Sequence, residues 1–126
     1  MKIVFPYQKW YQSYLPMISF RLPQGQHTYA LIDSGANSSL FDVSIARQLG
    51  INIEDGQRQE VTGIGGRIIA YRHIIPIRIG WIRLKLKVDF SLEYTLALNI
   101  LGRDNFFREF TVTFDELKRQ TILQRK

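Results

Sequence analysis

The stretch Tyr29-Ala30-Leu31-Ile32-Asp33-Ser34-Gly35-Ala36-Asn37 runs as a short apolar strand into a carboxylate, a small hydroxyl residue and a glycine. Burial of such a strand delivers the Asp33 side chain to its end, at the boundary between core and solvent. The Ser34 hydroxyl can hydrogen-bond backbone groups across a close contact. Gly35 permits a tight turn and lets another backbone or a ligand approach. The bland alternative is a strand followed by an Asx turn. An Asp-Ser/Thr-Gly triplet arises by chance in about one chain in twenty of this length, so its meaning rests on its surroundings.

Downstream, most of the chain reads as strands and turns. Residues 82–88, Ile-Arg-Leu-Lys-Leu-Lys-Val, alternate apolar and basic without a break, which gives one buried and one wet face. Lys85 and Lys87 are then a solvated strand face. Residues 74–79 form a second strand, with Pro76 at an edge or irregular position. Gly80-Trp81 between the two is a Gly-first two-residue hairpin turn. Residues 59–64 and 67–73 pair as another hairpin around Gly65-Gly66, its tip spelled Thr62-Gly63-Ile64-Gly65-Gly66. Residues 110–114 alternate again, and 115–120 turn into a last strand at 121–123.

Two helices are expected. Asp42 caps one over residues 43–49, stopped by Gly50. A second candidate spans residues 99–109 and opens with Ile100-Leu101-Gly102. Together these elements make a mainly-β single domain over residues 1–126 with one or two short helices, and no regular βαβ alternation. The segment 1–16 is an aromatic N-terminal extension (Tyr7, Trp10, Tyr11, Tyr14), read as core packing or a subunit contact. Residues 28–115 carry the motifs, and 116–126 form a C-terminal strand and tail.

Composition narrows the chemistry. The chain has 126 residues, 45% hydrophobic and 22% charged, which is ordinary for a globular protein. The absence of cysteine removes disulfides, thiolate metal sites and a cysteine nucleophile. The two histidines, His27 and His73, lack ligand-like spacing, and no metal site is expected. The first apolar run is closed by Pro6 and is too short for a signal peptide, and no window reaches the length of a membrane span. A cytoplasmic setting is the expectation. The net charge of +6 is spread along the chain, as on a solvated surface.

Leu31-Ile32-Asp33-Ser34-Gly35-Ala36 resembles the catalytic motif of the retropepsin-like aspartic peptidases. Their second signature, two apolar residues and a glycine late in the chain, is matched by Ile100-Leu101-Gly102, followed by Arg103-Asp104. The glycine-rich tip from Gly63 to Gly66 resembles the flap of that family. The resemblance implies a single-domain acid-protease fold and a catalytic Asp33. Ser34, Gly35 and Ala36 would support the catalytic loop. Asn37, Gly63, Ile64, Gly65 and Gly66 would contact an extended peptide, and Ile100, Leu101, Gly102 and Arg103 would brace the loop. No cofactor is implied.

Such peptidases need two facing carboxylates, and this chain holds a single Asp-Ser-Gly. Asp42, Asp55, Asp89 and Asp115 occupy cap, turn or strand-end settings. A two-fold homodimer with Asp33 from each copy is the economical solution. Two departures stand out. Retroviral members usually place an acid where Asn37 stands, facing the arginine after the late glycine, and here only Arg103 is kept. The tail is also longer than theirs, so the subunit interface is expected to differ, as in a cellular or bacterial member.

Two rival readings remain. The fold can persist as a catalytically silent dimerisation or peptide-binding module. Alternatively, a basic β-barrel could bind single-stranded nucleic acid through aromatics and a cationic groove. The aromatics sit mostly at core-periodic positions, which argues against the second, so no nucleic-acid partner is expected.

Overall fold

A computed structural model describes residues 1–63 and 66–126. Its central hairpin follows from the alternation in the sequence. In β9 (Ile82–Phe90) the side chains of Ile82, Leu84, Leu86 and Val88 are buried, while Arg83 and Lys85 are exposed. The preceding β8 (Gly66–Ile79) pairs with it antiparallel from Tyr71↔Phe90 to Ile79↔Ile82. Gly80 supplies the positive φ of 57° that the turn between them requires.

The two strands expected over 67–73 and 74–79 are a single 14-residue strand. Pro76 does not break it, because β7 (Gln57–Gly63) has already ended. The last β7–β8 pair is Gln57↔Arg72, so at Pro76 the strand has only β9 beside it. The first half of β8 pairs with β7 up to Gly63↔Gly66. The pairs beyond Tyr71 have no third strand beside them and project as a two-stranded arm. Ser91 and Glu93, just after β9, hold this arm at Ile69. The Ser91 hydroxyl donates to the Ile69 carbonyl at 2.6 Å, and the Ile69 N–H donates to Glu93 Oε2 at 2.7 Å.

Before these come β1 (Lys2–Pro6), β2 (Gln8–Trp10), β3 (Ser13–Leu15), β4 (Met17–Arg21), β5 (His27–Ile32) and β6 (Ser39–Phe41). After β6, α1 (Val43–Gln48) starts where expected, with the Asp42 carboxylate accepting from the Ser44 N–H, and Gly50 ends it at φ 69°. A 3₁₀ turn (Ile53–Asp55) leads to Gly56. His73 Nε2 lies 2.8 Å from the Ile53 carbonyl there, a structural role for that histidine.

A second expectation fails. The stretch 99–109 is not one helix: Ile100–Leu101 is a short strand, β10, and only α2 (Phe106–Glu109) is helical. Ile100 and Leu101 find strand partners in β5 and β6, and that tertiary pairing overrides local helical propensity.

The large sheet has the order β4-β5-β10-β6-β9-β8-β7, and a bridge at Arg21↔Arg78 joins β4 to β8. The sheet therefore curls until its edge strand β4 meets β8, enclosing a core. Phe20, Phe41, Phe90, Phe106 and Phe110 are all essentially solvent-free, with Phe20–Phe41 and Phe41–Phe90 centroids 5.5 and 6.5 Å apart. The first pair is tilted and the second edge-on, at separations that aromatic rings favour.

The ends of the chain build a second, three-stranded sheet. β12 (Gln120–Arg125) lies between β1 and β11 (Phe110–Asp115). The aromatic N-terminal segment packs onto the β11–β12 turn. Tyr7 is buried; its hydroxyl donates to Glu116 at 3.1 Å and its N–H donates to the Arg119 carbonyl at 2.8 Å. The Arg119 guanidinium sits 4.1 Å over the Tyr14 ring. Burial and the Glu116 bond both push the Tyr7 hydroxyl above its ordinary pKa. Tyr11 remains exposed.

Candidate active site

β5 delivers Asp33 by saturating the backbone on both of its sides. The Ile32 N–H donates to the Pro16 carbonyl at 3.0 Å, while the N–H groups of Leu31 and Asp33 donate to the carbonyls of Asn99 and Leu101 at 2.8 and 3.0 Å. β10 runs parallel to β5, with Ile100↔Leu31 and Leu101↔Ile32 in register, and antiparallel to β6 at Ile100↔Leu40. The late apolar pair is thus wedged between the strand that enters the Asp33 loop and the strand that leaves it.

Within the loop, Asp33 is half-buried and its side chain is held in place. Gly35 N–H donates to Asp33 Oδ1 at 2.9 Å, and Ala36 N–H to the Asp33 carbonyl at 3.2 Å. A Cβ on Gly35 would come 3.2 Å from Asp33 Oδ1, so the glycine permits this close turn. Asp33 Oδ2 is left free of protein hydrogen bonds among the described residues, and Ser34 and Gly35 are exposed beside it. The carboxylate is therefore oriented through one oxygen and presented through the other.

The return segment interlocks with the loop. Arg103 N–H donates to the Ala36 carbonyl at 2.9 Å, Asp104 N–H to the Asn37 carbonyl at 2.8 Å, and Gly102 N–H to Ser39 Oγ at 3.1 Å. Arg103 is exposed, and among the described residues its side chain forms no ion pair. Asn37, also exposed, is used through its backbone. Asp104 instead takes the ionic role, 3.9 Å from Arg72 Nη1 and 3.6 Å from Lys87 Nζ. Arg72 is itself forked onto the fully buried Asp89 at 2.9 and 3.2 Å. That hydrogen bond raises the guanidinium above its ordinary pKa, against the lowering effect of burial. The absent acid at position 37 is thus matched by an ionic tie made through Asp104 to β8 and β9.

Asn99 is the site residue that sequence reasoning missed. It is buried; its Oδ1 accepts the Asp42 N–H at 2.8 Å, and its Nδ2 donates to the Tyr29 carbonyl at 3.0 Å. One amide joins β5 to the cap of α1. A buried asparagine just before an apolar pair was the available signal, but nothing local distinguishes it from a turn residue. Ser39, buried and bonded to Gly102, was missed for the same reason. Of the expected peptide-contacting residues, Gly63 and Gly66 pair at the end of the projecting arm, whereas Ile64 and Gly65 lie outside the described residues.

An apolar strand ending in an oriented, half-buried aspartate, locked by a late Leu-Gly pair, is the arrangement expected of an aspartyl protease loop. Comparison with known proteins agrees. A family model described as aspartyl protease matches residues 18–104, and the chain belongs to that family. The fold is retropepsin-like. A retropepsin-like aspartic protease from Rickettsia conorii superposes with a TM-score of 0.74 over 98% of both chains, at 18% sequence identity. No match is found among curated proteins.

Proposed function

We propose that the protein is an aspartic endopeptidase that works as a homodimer, with Asp33 and its copy in the partner forming the catalytic dyad. The observation that carries this reading is the oriented Asp33 carboxylate, with Oδ1 held by Gly35 N–H and Oδ2 uncommitted among the described residues, on a loop locked by β10. One chain supplies one such loop, so a second copy completes the pair.

Two facing carboxylates hold one proton between them and titrate as a unit. The ionised member takes a proton from a bound water, which attacks the peptide carbonyl carbon. The protonated member hydrogen-bonds the carbonyl oxygen as the tetrahedral intermediate forms, then a proton passes to the leaving nitrogen. Ser34 braces one loop against the other, and Gly35 lets the substrate backbone approach. The β7–β8 arm, which ends at Gly63 and Gly66, serves as the flap over an extended peptide that pairs by main-chain hydrogen bonds. Asn37 contacts the peptide from the edge of the loop, and Arg103 braces the loop through its N–H on the Ala36 carbonyl. The chemistry calls for no cofactor, and a cytoplasmic setting suits a chain without cysteine.

The test is cleavage of a peptide library from acidic to neutral pH, with and without pepstatin, alongside sedimentation to fix the assembly state. Pepstatin-sensitive cleavage by a dimer supports the reading. A dimer that binds peptides without cleaving them at any pH identifies the silent module, and a strictly monomeric protein that cleaves overturns the shared dyad.

A further inference from the structure

Far from Asp33, a cleft of about 560 Å³ opens between the end of β4, the later part of β8 and the start of β9. Arg21, on its rim, faces His27 across the β4–β5 hairpin. His27 lies six residues up β5 from Asp33, roughly 20 Å at the rise of an extended strand. The cleft is thus separate from the Asp33 loop.

Four cations line it: Arg21, Arg78, Arg83 and Lys85. Register places Arg21 opposite Arg78 and Arg78 opposite Arg83, so three arginines stand side by side across three neighbouring strands. Like charges directly opposite one another destabilise a sheet. Nothing in the described residues offsets this. The ion pairs present engage Glu60, Asp89, Asp104 and Glu109 with other cations, and none of these four takes part. The Nε of Arg78 is in addition buried without an acceptor, a costly state for a charged donor. Apolar surface adjoins the cations, supplied by the exposed Pro23 and Pro76.

We propose that this cleft binds a small amphipathic phosphate monoester, with its phosphate among the arginines and an apolar body against Pro23 and Pro76. Guanidinium forks match phosphate oxygens with paired N–H donors, and several cations suit a group that carries nearly two negative charges. The volume falls in the range of about 300–1,000 Å³ typical of small-molecule sites. An anion there relieves the arginine row and gives the Arg78 Nε region its missing counter-charge.

Calorimetric titration of the full chain at low ionic strength tests the proposal, with hexyl phosphate, inorganic phosphate and hexanol as probes. Hexyl phosphate is expected to bind saturably, at least about tenfold more tightly than inorganic phosphate, because its chain buries several methylenes. Hexanol should give no saturable heat. The double variant Arg78→Gln/Arg83→Gln should weaken hexyl phosphate at least about tenfold, with a thermal midpoint unchanged or raised as repulsion is relieved. Lys85→Gln provides a second, milder variant and should weaken binding in the same direction. Co-sedimentation with vesicles of phosphatidic acid in phosphatidylcholine separates two sources of the same chemistry. Vesicle binding displaced by hexyl phosphate marks a lipid headgroup, and hexyl phosphate binding without it marks a soluble ester. Absence of saturable binding by hexyl phosphate overturns the proposal, as does binding undiminished in both variants or equalled by hexanol.

Discussion

Gly102 stands directly against the backbone of Ser38: a Cβ on the glycine would overlap the Ser38 carbonyl oxygen and approach that of Ala36 to 2.9 Å. The contact lets the segment after β10 press into the loop that carries Asp33, where Arg103 and Asp104 donate to Ala36 and Asn37. Gly102→Ala should therefore push these segments apart. Overpacking of this kind costs about 1–3 kcal/mol, read as a lower urea midpoint, and cleavage should fall more than stability alone explains.

Removing the Asp33 carboxylate charge leaves the fold almost untouched, because the N–H of Gly35 can still donate to an amide oxygen. Asp33→Asn should preserve the circular dichroism spectrum and the assembly state. Peptide cleavage should drop by at least about a hundredfold, the usual scale of lost acid–base catalysis. Turnover within a few-fold of the wild type would remove Asp33 from the chemistry.

Asn99 carries more than its position between two loops suggests. Its side-chain amide satisfies the Asp42 N–H and the Tyr29 carbonyl, while its backbone carbonyl, which an alanine keeps, accepts from Leu31. Asn99→Ala strips two part-buried backbone groups of their partners, at about 1–3 kcal/mol each. Equilibrium unfolding in urea should show a loss of roughly 2–4 kcal/mol with an unchanged slope. A loss below half a kilocalorie would mean water replaces the amide without cost.

Alkaline stability should report on Tyr94. Burial, with a smaller push from the charge of Asp42, moves its hydroxyl from 10.0 up to about 12. Its folded pKa lies above the unfolded one, so its contribution is complete below about pH 10. It is lost as pH rises through 12, because the unfolded chain gives up the proton first and the slope of stability with pH is negative. Tyr94→Phe should flatten the fall in denaturation midpoint between those pH values. An identical slope in the variant would assign it to other groups.

Much of this molecule was readable from neighbouring residues. Alternation from Ile82 to Val88 identified β9, the Asp42 carboxylate marked the start of α1, and Gly80 marked its turn, since each depends on chemistry within a few positions along the chain. The Asp33-Ser34-Gly35 loop and the Ile100-Leu101-Gly102 triplet were recognisable in the same way. Their meeting was not. Ile100 and Leu101 are too few to show a strand period, and they became β10 only because Leu31, Ile32 and Leu40 offered unpaired backbone on either side. Lys85 looked like part of a wet strand face, and the row formed by Arg21, Arg78 and Arg83 arose only when β4 closed onto β8. The N-terminal aromatics found their partner at the opposite end of the chain, where Tyr7 meets Glu116 and Arg119. Propensity, capping and turn chemistry act over a handful of residues and can be read along the chain. Strand pairing and charge juxtaposition depend on which distant segments bury one another, and closure of the sheet decided that.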